Sequence, residues 1–313
     1  MQNIKSPIIC LMGPTASGKT DLAINIAQKL PIQIISVDSA LIYRHMNIGT
    51  AKPAPTVLEK YPHHLINICD PSERYSAANF CTQVNALIAK IHQQQKIPLL
   101  VGGTMMYFNA LFKGLAQLPD ADLNIRQKLD NLLKEKGAAY LHTQLQQVDP
   151  TAADKIHPND PQRLQRALEV YQITGTPISE LWQTQAQQPS KTFIKIAISP
   201  ADRKVLHQRI EQRFEQMLQQ GFLNEVEQLM LRGDLSLGLP AIRCVGYRQA
   251  WQHLLGEFDF TTMREKSIIA TRQLAKRQLT WLRSFDDMYW FDSCDENLTS
   301  IILAFIKTHK PDK

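Results

Sequence analysis

The chain has 313 residues, of which 44% are hydrophobic, so it can bury the core of one large domain or of two smaller ones. Its five cysteines are scattered without a CxxC pair, which excludes a cysteine-rich zinc module and favours a reducing cytoplasm. No apolar run approaches the roughly 18 residues that a membrane-spanning helix needs. The first predicted strand begins so early that we expect no signal peptide.

The net charge of +6 is distributed unevenly along the chain. Between Ala241 and Arg283, eight basic residues stand against three acidic ones, which leaves +5 within 43 residues. The eight are Arg243, Arg248, Arg264, Lys266, Arg272, Lys276, Arg277 and Arg283. Such a concentration is typical of a surface that binds a polyanion, and a solvated helix face is the alternative that charge alone leaves open.

The apolar segment PIICLM is followed by GPTASGKT and then by the amphipathic DLAINIAQKL. The middle segment matches the phosphate-binding pattern G-x-x-x-x-G-K-[ST] through Gly13, Gly18, Lys19 and Thr20. In such a loop, backbone N–H groups and the start of the helix face phosphate oxygens, the lysine supplies a full charge, and the threonine hydroxyl ligates Mg²⁺. The flanking strand and helix supply the context that the loop requires. The sequence therefore predicts a di- or triphosphate site.

Apolar runs predict five buried strands, and helical patterns separate the first of them. The predicted strands are Ile8–Met12, Gln33–Val37, Ile97–Val101, Phe193–Ser199 and Met288–Phe291. This alternation predicts an α/β fold with a P-loop NTPase-like parallel sheet flanked by helices. Strand patterns are missing between about Leu115 and Gln188, so residues 118–188 are predicted to form a small all-helical insertion. Residues 1–117 and 189–313 then form the catalytic core, with a long basic helix at about Thr262–Arg283.

A carboxylate stands at the end of the second predicted strand, in QIISVDSALIYRHMNIGTAKP. Ligands of parallel α/β sheets lie at the carboxyl ends of strands, so Asp38 is expected across from the phosphate loop if the two strands are neighbours or nearly so. There it could take a proton from a nucleophile while Mg²⁺ and Lys19 stabilise a departing phosphate. A helix N-cap is the alternative for Asp38, with Ser39 as the competing cap.

The third predicted strand ends in Gly102–Gly103–Thr104. Members of this fold that hydrolyse ATP usually end a strand with an Asp that holds the Mg²⁺ shell. This strand lacks such a residue, and no other predicted strand ends in an Asp–Glu pair, which argues against an energy-transducing ATPase.

Six segments together resemble the bacterial tRNA dimethylallyltransferases, also called tRNA isopentenyltransferases. They are GPTASGKT, SVDSALIYRHMNIGTAKP, PLLVGGTMMYF, HPNDPQRLQRALEVY, RCVGYRQAW and ATRQLAKRQLTWLR, and they follow the family's order and spacing from about Pro7 to Phe291. The resemblance implies transfer of the dimethylallyl group of dimethylallyl diphosphate to N6 of the adenosine 3′-adjacent to the anticodon, in tRNAs that read codons starting with U. It implies release of diphosphate, a requirement for Mg²⁺, contact with the anticodon stem-loop and no membrane partner. We expect a cytoplasmic monomer.

The resemblance also assigns residues to the donor. The implied diphosphate-binding residues are Gly13, Pro14, Thr15, Ala16, Ser17, Gly18, Lys19 and Thr20, with Thr20 assisting Mg²⁺. Asp38 is the implied general base, or the acceptor that orients the N6 amine. An arginine should also neutralise the departing oxygens, and Arg213 is the candidate, with Arg209 one turn earlier on the same helix face. The alternative for either arginine is a surface pair with Glu211 or Glu215.

Other segments match the family's tRNA contacts. They are Asp38, Ser39, Ala40, Leu41, Thr104, Arg126, Gln162, Arg163, Leu164, Gln165, Arg166, Arg243, Cys244, Val245, Gly246, Tyr247, Arg248, Lys276, Arg277, Gln278, Leu279, Thr280, Trp281, Leu282 and Arg283. On the long helix, Arg272, Lys276 and Arg283 fall within about 40° of one another and could follow a phosphate backbone, with Arg277 pointing elsewhere. Arg163 and Arg166, spaced i,i+3, could both face one RNA strand.

The target base is stacked in a stem-loop, so it has to be flipped out to reach Asp38 and Thr104. Candidates for stacking on bases or lining a prenyl pocket are Tyr43, Tyr107, Phe108, Tyr247 and Trp281, although core packing is favoured for each one singly. Three rival functions remain open at this point. They are a small-molecule kinase with ATP in the loop, an adenylate prenyltransferase, and a non-catalytic RNA-binding protein.

Overall fold

A computed structural model describes residues 7–116, 118–183 and 192–309. Its strands in these ranges are β1 Ile8–Met12, β2 Ile32–Val37, β3 His63–His64, β4 Ile97–Gly102, β5 Phe193–Ser199 and β6 Met288–Asp292. They form one sheet in the order β3-β2-β4-β1-β5-β6, and every neighbouring pair is parallel. The prediction of an α/β fold with a P-loop-like parallel core is therefore confirmed.

The five predicted strands agree with the observed strands to within one residue at each end. β1 and β4 lie in the middle of the sheet and are buried along their whole length, because helices cover a parallel sheet on both faces. The sequence analysis missed β3, which is two residues long and pairs only with Ile34 and Ile35 of β2. A strand of two residues has no hydrophobic pattern to detect.

Helices account for most of the remaining described chain. They are α1 Lys19–Ala27, α2 Pro55–Lys60, α3 Ala77–Gln93, α4 Met105–Lys113, α5 Leu123–Val148, α6 Pro150–Lys155, α7 Pro161–Thr174, α8 Ile178–Gln183, α9 Arg203–Gln219, α10 Phe222–Leu231, α11 Tyr247–Leu254, α12 Phe260–Arg283 and α13 Leu298–Thr308. The long basic helix, α12, begins where Asp259 caps the Thr262 N–H at 2.7 Å and ends at the predicted Arg283. Among the described helices, none is both long enough and apolar enough to cross a membrane.

The chain forms two compact units, one of Met1–Asn109 with Ser190–Lys313 and one of Ala110–Pro189. The predicted insertion, residues 118–188, lies within the second unit. Its apolar core is formed by α5 to α8 and includes Leu129, Leu141, Leu145, Leu164, Leu168 and Ile178. α5 bends at Gly137, which has a φ of 78° that glycine adopts without steric penalty. The bend falls where the sequence patterns of two helices, 125–137 and 138–149, meet.

In the first unit, a carboxylate anchors the loop that follows β2. Glu225 of α10 accepts the backbone N–H groups of residues 47–49 at 2.8, 2.8 and 3.1 Å, and the hydroxyl of Tyr247 at 2.5 Å. A Cβ on Gly49 would lie 2.2 Å from a ring carbon of Phe222, so only glycine allows the loop to approach α10 this closely. The segment after Asp38 is thereby fixed to a buried aromatic core.

Candidate active site at the carboxyl edge of the sheet

The strand order places the loops that follow β1, β2 and β4 side by side. β4 lies between β1, which leads into the phosphate loop, and β2, which ends just before Asp38. The backbone is crowded here, since a Cβ on Gly102 would lie 1.9 Å from the Val37 carbonyl oxygen and one on Gly13 would lie 2.4 Å from that of Ile198. Asp38 and the phosphate loop are thus separated by one strand, as the sequence analysis required.

The phosphate loop, residues 13–20, turns tightly into the start of α1. Ala16 and Gly18 both have left-handed backbone conformations, with φ of 61° and 84°, and the helix begins at Lys19. Within the described ranges, the N–H groups of Lys19 and Thr20 and the Thr20 hydroxyl have no intramolecular acceptor, as expected for the first turn of a helix. Together with the positive end of the helix dipole, these donors can receive an anion.

Lys19 is turned back onto its own loop. Its Nζ donates to the carbonyl oxygens of Gly13 at 3.0 Å and Pro14 at 2.6 Å, and lies 3.5 Å from the Ser17 hydroxyl. The pKa of Lys19 is lowered to about 7, chiefly by burial and also by the guanidinium of Arg213, while Asp38 opposes the shift. A bound anion would favour the charged amine again, because an opposite charge nearby raises the pKa of a lysine.

Arg213, on α9, has no carboxylate within 4.0 Å in the part of the chain that the structure describes. The two acidic residues of its own helix that were its alternative partners, Glu211 and Glu215, instead bind Arg264 and Arg272 of α12. The proposed surface pair of Arg213 is therefore not formed.

The electrostatic surroundings of Arg213 connect it to the phosphate loop. Burial lowers the pKa of Arg213, and Asp38 and Asp21 oppose that shift. Since Arg213 also depresses the pKa of Lys19, the two cations lie in one desolvated region. Both are short of a neutralising anion.

Arg209, the second candidate arginine, is directed elsewhere. Its guanidinium nitrogens lie 3.3 Å from the Ser293 hydroxyl and 3.4 Å from the Cys294 sulfur. Both of these residues follow β6. The two arginines therefore have different surroundings, although they are one helical turn apart.

Asp38 lies in a turn after β2, and no helix begins there, so the helix N-cap alternative is not formed. Its Oδ1 accepts the N–H groups of Ala40 at 2.8 Å and Leu41 at 3.2 Å, as in an Asx turn. The role of general base stays a prediction. No hydrogen bond to Oδ2 is found within the described residues. The adjacent Ser39 N–H donates to the Thr104 hydroxyl oxygen at 3.0 Å, so the loops after β2 and β4 are joined beside the carboxylate.

Gln278 of α12 contacts the phosphate loop and the loop after β4, a connection that sequence reasoning missed. Its Oε1 accepts the Thr15 N–H at 2.8 Å, and its Nε2 donates to the Gly103 carbonyl oxygen at 2.8 Å. The side chain is only 9% exposed. The amide is thus bonded inside the protein, and the predicted tRNA contact of Gln278 stays a prediction.

Burial divides the other predicted tRNA contacts. Leu164, Tyr247 and Leu282 are fully buried and Gly246 is buried too, so these four residues are inaccessible in this structure, and their predicted tRNA contacts stay predictions. The exposed ones are Ser39, Gln162, Arg163, Arg243, Arg248, Lys276, Arg277, Thr280, Trp281 and Arg283. Those with intermediate exposure are Asp38, Ala40, Leu41, Thr104, Arg126, Gln165, Arg166, Cys244, Val245 and Leu279.

The basic stripe expected on α12 differs from its prediction at two positions. Arg272 binds Glu211 at 3.1 Å and its Nε is buried, so this arginine packs between α9 and α12. Arg277, which was expected to point elsewhere, is exposed next to Lys276. The helical angle was correct, but the position of the partner helix could not be read from it. Lys276, Arg277 and Arg283 form the exposed basic face of α12.

In the second unit, a single buried carboxylate organises two predicted RNA contacts. Glu169, 1% exposed, accepts from Arg126 at 2.8 Å and from Arg166 at 2.8 Å. Arg166 also donates to the Pro119 carbonyl oxygen at 2.6 Å. Arg163 is less constrained by neighbouring residues, since its side chain is 66% exposed and its ion pair is with the helix cap Asp160. Arg163 and Arg166 thus differ in how freely they could meet a phosphate.

The aromatic candidates largely belong to the core. Tyr43, Tyr107, Phe108 and Tyr247 are each no more than 2% exposed, and Tyr107 stacks on Phe80 with ring centroids 4.4 Å apart. Trp281 on α12 is 36% exposed. It is therefore the one member of this set that remains accessible for stacking on a base.

Comparison with known proteins identifies the chain's relatives. The family model described as IPP transferase matches residues 41–285. The full-length tRNA isopentenylpyrophosphate transferase of Bacillus halodurans is 34% identical, with 96% of this chain and 97% of that chain covered and a TM-score of 0.69. The tRNA delta(2)-isopentenylpyrophosphate transferase of Staphylococcus epidermidis is 31% identical, with 96% and 99% covered and a TM-score of 0.69.

A eukaryotic dimethylallyltransferase acting on tRNA is 28% identical, with 98% of this chain and 81% of that chain covered and a TM-score of 0.81. The family model spans more than half of the chain, and the two bacterial structures align with it almost end to end. This chain therefore belongs to the IPP transferase family, the prenyltransferases known as tRNA dimethylallyltransferases.

Proposed function

We propose that this protein transfers the dimethylallyl group of dimethylallyl diphosphate to N6 of the adenosine 3′-adjacent to the anticodon, in tRNAs that read codons starting with U. Membership of the IPP transferase family supports the reaction class. The observation that carries the proposal is a pair of desolvated cations, Lys19 and Arg213, whose pKa values respond to a carboxylate at the same edge of the sheet, Asp38. Cations suit a departing diphosphate, and a carboxylate suits the proton released by an amine.

In the proposed reaction, the N6 amine attacks the allylic carbon that carries the diphosphate. The C–N bond forms as the C–O bond breaks, and the electron pair of that bond leaves with the diphosphate. N6 then gives up one proton, for which Oδ2 of Asp38 is the candidate acceptor. Oδ1 stays in its bonds to Ala40 and Leu41, so the carboxylate keeps its orientation while it accepts the proton. Because an aromatic amine is a poor nucleophile, this fixed orientation matters as much as basicity.

The departing diphosphate would meet donors that are already in place. The N–H groups of Lys19 and Thr20 open α1 without an internal acceptor. The Lys19 amine would exchange its bonds to Gly13 and Pro14 for phosphate oxygens. Preorganised donors of this kind stabilise charge as it develops without a further reorganisation step.

The residues present fit a Mg²⁺ ion held mainly by the substrate. No cluster of three or more His, Cys, Asp or Glu side chains suited to a metal occurs among the described residues. Mg²⁺ is often bound by few protein ligands together with phosphate oxygens and water, and the unpaired Thr20 hydroxyl is the protein oxygen that would join it. When bound, the ion would neutralise charge on the diphosphate.

An exposed basic surface supports tRNA as the acceptor. Six residues of the basic segment are exposed and have no ion-pair partner in the described chain. They are Arg243, Arg248, Lys266, Lys276, Arg277 and Arg283. Such a set can bind several phosphates, which a free nucleotide would not require. In the second unit, Arg163 and the arginines that Glu169 orients are further candidates.

The decisive experiment incubates unmodified tRNA with the purified protein, Mg²⁺ and dimethylallyl diphosphate, and analyses the nucleosides by mass spectrometry. We expect a dimethylallyl adenosine that is absent when ATP replaces the prenyl donor. Unmodified tRNA together with ATP consumption in the presence of a small hydroxyl acceptor would favour a kinase instead. Prenylation of AMP alone would favour an adenylate prenyltransferase.

Replacing Asp38 by Asn should lower single-turnover prenyl transfer by about 10²-fold or more, since the amide cannot accept the N6 proton. Asparagine can still accept the N–H groups of residues 40 and 41 through its own Oδ1, so tRNA binding should change little. Transfer at a near-normal rate with saturating tRNA would remove Asp38 from the role of base.

Replacing Arg213 by Gln should weaken binding of inorganic diphosphate and lower the transfer rate by about 10²-fold, because a charge aimed at the leaving group is lost. Arg209→Gln is the matched control, one turn away on the same helix and bonded to Ser293 and Cys294. It should stay within about threefold of the unmodified protein by this reasoning. Equal effects of the two substitutions would show that Arg213 has no special role.

The double substitution Lys276→Ala and Arg277→Ala should weaken tRNA binding and flatten its dependence on salt, with the log–log slope falling by about 1.5 to 2. A control of equal charge is Lys29→Ala with Lys96→Ala, two exposed lysines at the opposite, amino edge of the sheet. Filter binding of tRNA between low and moderate salt measures both. A slope that changes equally in the two variants would mean that the face of α12 is only a solvated surface.

A further inference from the structure

The Gln278 side chain is hydrogen-bonded to both the phosphate loop and the loop after β4. The partners are distant in sequence, with Thr15 separated from it by 263 residues and Gly103 by 175. Each bond is 2.8 Å long and the amide is buried. This side chain therefore links the two loops that follow the paired ends of β1 and β4.

One of the two loops that it joins is the proposed binding site of the diphosphate, and the other lies next to Asp38, the proposed base. Thr15 lies in the phosphate loop, two residues after Gly13. Gly103 directly precedes Thr104, whose hydroxyl accepts the Ser39 N–H beside Asp38. A displacement of the Gln278 amide would therefore allow the donor loop and the Asp38 loop to shift relative to each other.

We infer that Gln278 is a positioning residue that fixes the phosphate loop relative to the loop carrying Thr104 and, through it, Asp38. The inference rests on the proposed function and refines it, because it assigns a residue of the RNA-binding helix to the prenyl-donor site. Gln278 does not touch the reacting atoms. It acts through the backbone of Thr15 and Gly103.

Glutamine suits this position because its amide supplies one acceptor and one donor at the end of a flexible stem. The Thr15 N–H and the Gly103 carbonyl would otherwise be buried without partners, which is unfavourable. The absence of a side chain at residue 103 is part of the arrangement. A Cβ there would lie 2.5 Å from the Gln278 Nε2, so alanine at position 103 would displace the amide.

A positioning role and a tRNA contact for Gln278 predict different changes in binding and kinetic constants. A residue that contacts RNA affects the Kd for tRNA, whereas a residue that positions the phosphate loop affects the KM and Kd for the diphosphate ligand. It also lowers kcat, because the allylic carbon and the amine would be held less well aligned. Its exposed neighbour Arg277 should show the opposite pattern.

The test compares Gln278→Met, Gly103→Ala and the double variant with the unmodified full-length protein. Both single variants should raise the KM for dimethylallyl diphosphate and the Kd for inorganic diphosphate by about tenfold or more, as expected when two buried hydrogen bonds are lost. The Kd for tRNA should stay within about twofold. The double variant should be no worse than the worse single variant, because both changes remove the same bonds. Arg277→Ala should instead weaken tRNA binding and leave the donor KM unchanged.

A weakened tRNA affinity with a normal donor KM in Gln278→Met would overturn the inference and restore the RNA contact. Additive effects in the double variant would overturn it as well. If Gln278→Met is too unstable to assay, Gly103→Ala decides alone, and a normal donor KM in that variant counts against the inference. Failure of the unmodified protein to bind diphosphate or to prenylate tRNA would refute the proposed function itself, whatever the variants do.

Discussion

The close approach of backbone segments at the carboxyl edge of the sheet is the constraint on which the site depends. No Cβ fits at Gly13, Gly102 or Gly103 without contacts of 2.6 Å or less. None of these three glycines has a positive φ, so glycine is required there by distance rather than by backbone conformation. A methyl group at Gly13 or Gly102 would push apart neighbouring strand ends, and one at Gly103 would meet the Gln278 amide, because protein interiors offer little free volume.

A second constraint is electrostatic. Lys19 and Arg213 are desolvated, and neither forms an ion pair in the described chain, although acidic side chains lie on the same helix as Arg213. Those carboxylates are engaged with α12 instead. A desolvated cation without an ion pair is unfavourable, so a polyanion bound here would be stabilised by both side chains. Affinity for the anion would therefore come partly from pairing with these two cations.

The sequence predicted the features that depend on local pattern. Apolar runs located five strands to within one residue, and the phosphate motif and Asp38 fall at the edge where parallel strands end. Features that depend on contacts with another helix or loop were not predicted from the sequence. Arg272 looked like part of an exposed stripe until α9 supplied Glu211, and Gln278 looked like a polar surface residue of a basic helix. Glu225 left no signal either, because its ligands are backbone N–H groups.

The ion pairs between α9 and α12 have a consequence for any RNA bound to α12. Arg264 and Arg272 share Glu211, and the apolar contacts of Ala16 with Leu206, Ile210, Ala275 and Leu279 join both helices to the phosphate loop. The basic residues of α12 and the phosphate loop thus belong to one packed unit. This packing restricts changes in the distance between them. The deformation needed to bring a base to that depth then falls on the RNA, so stem-loops that distort easily would be favoured over stiff ones.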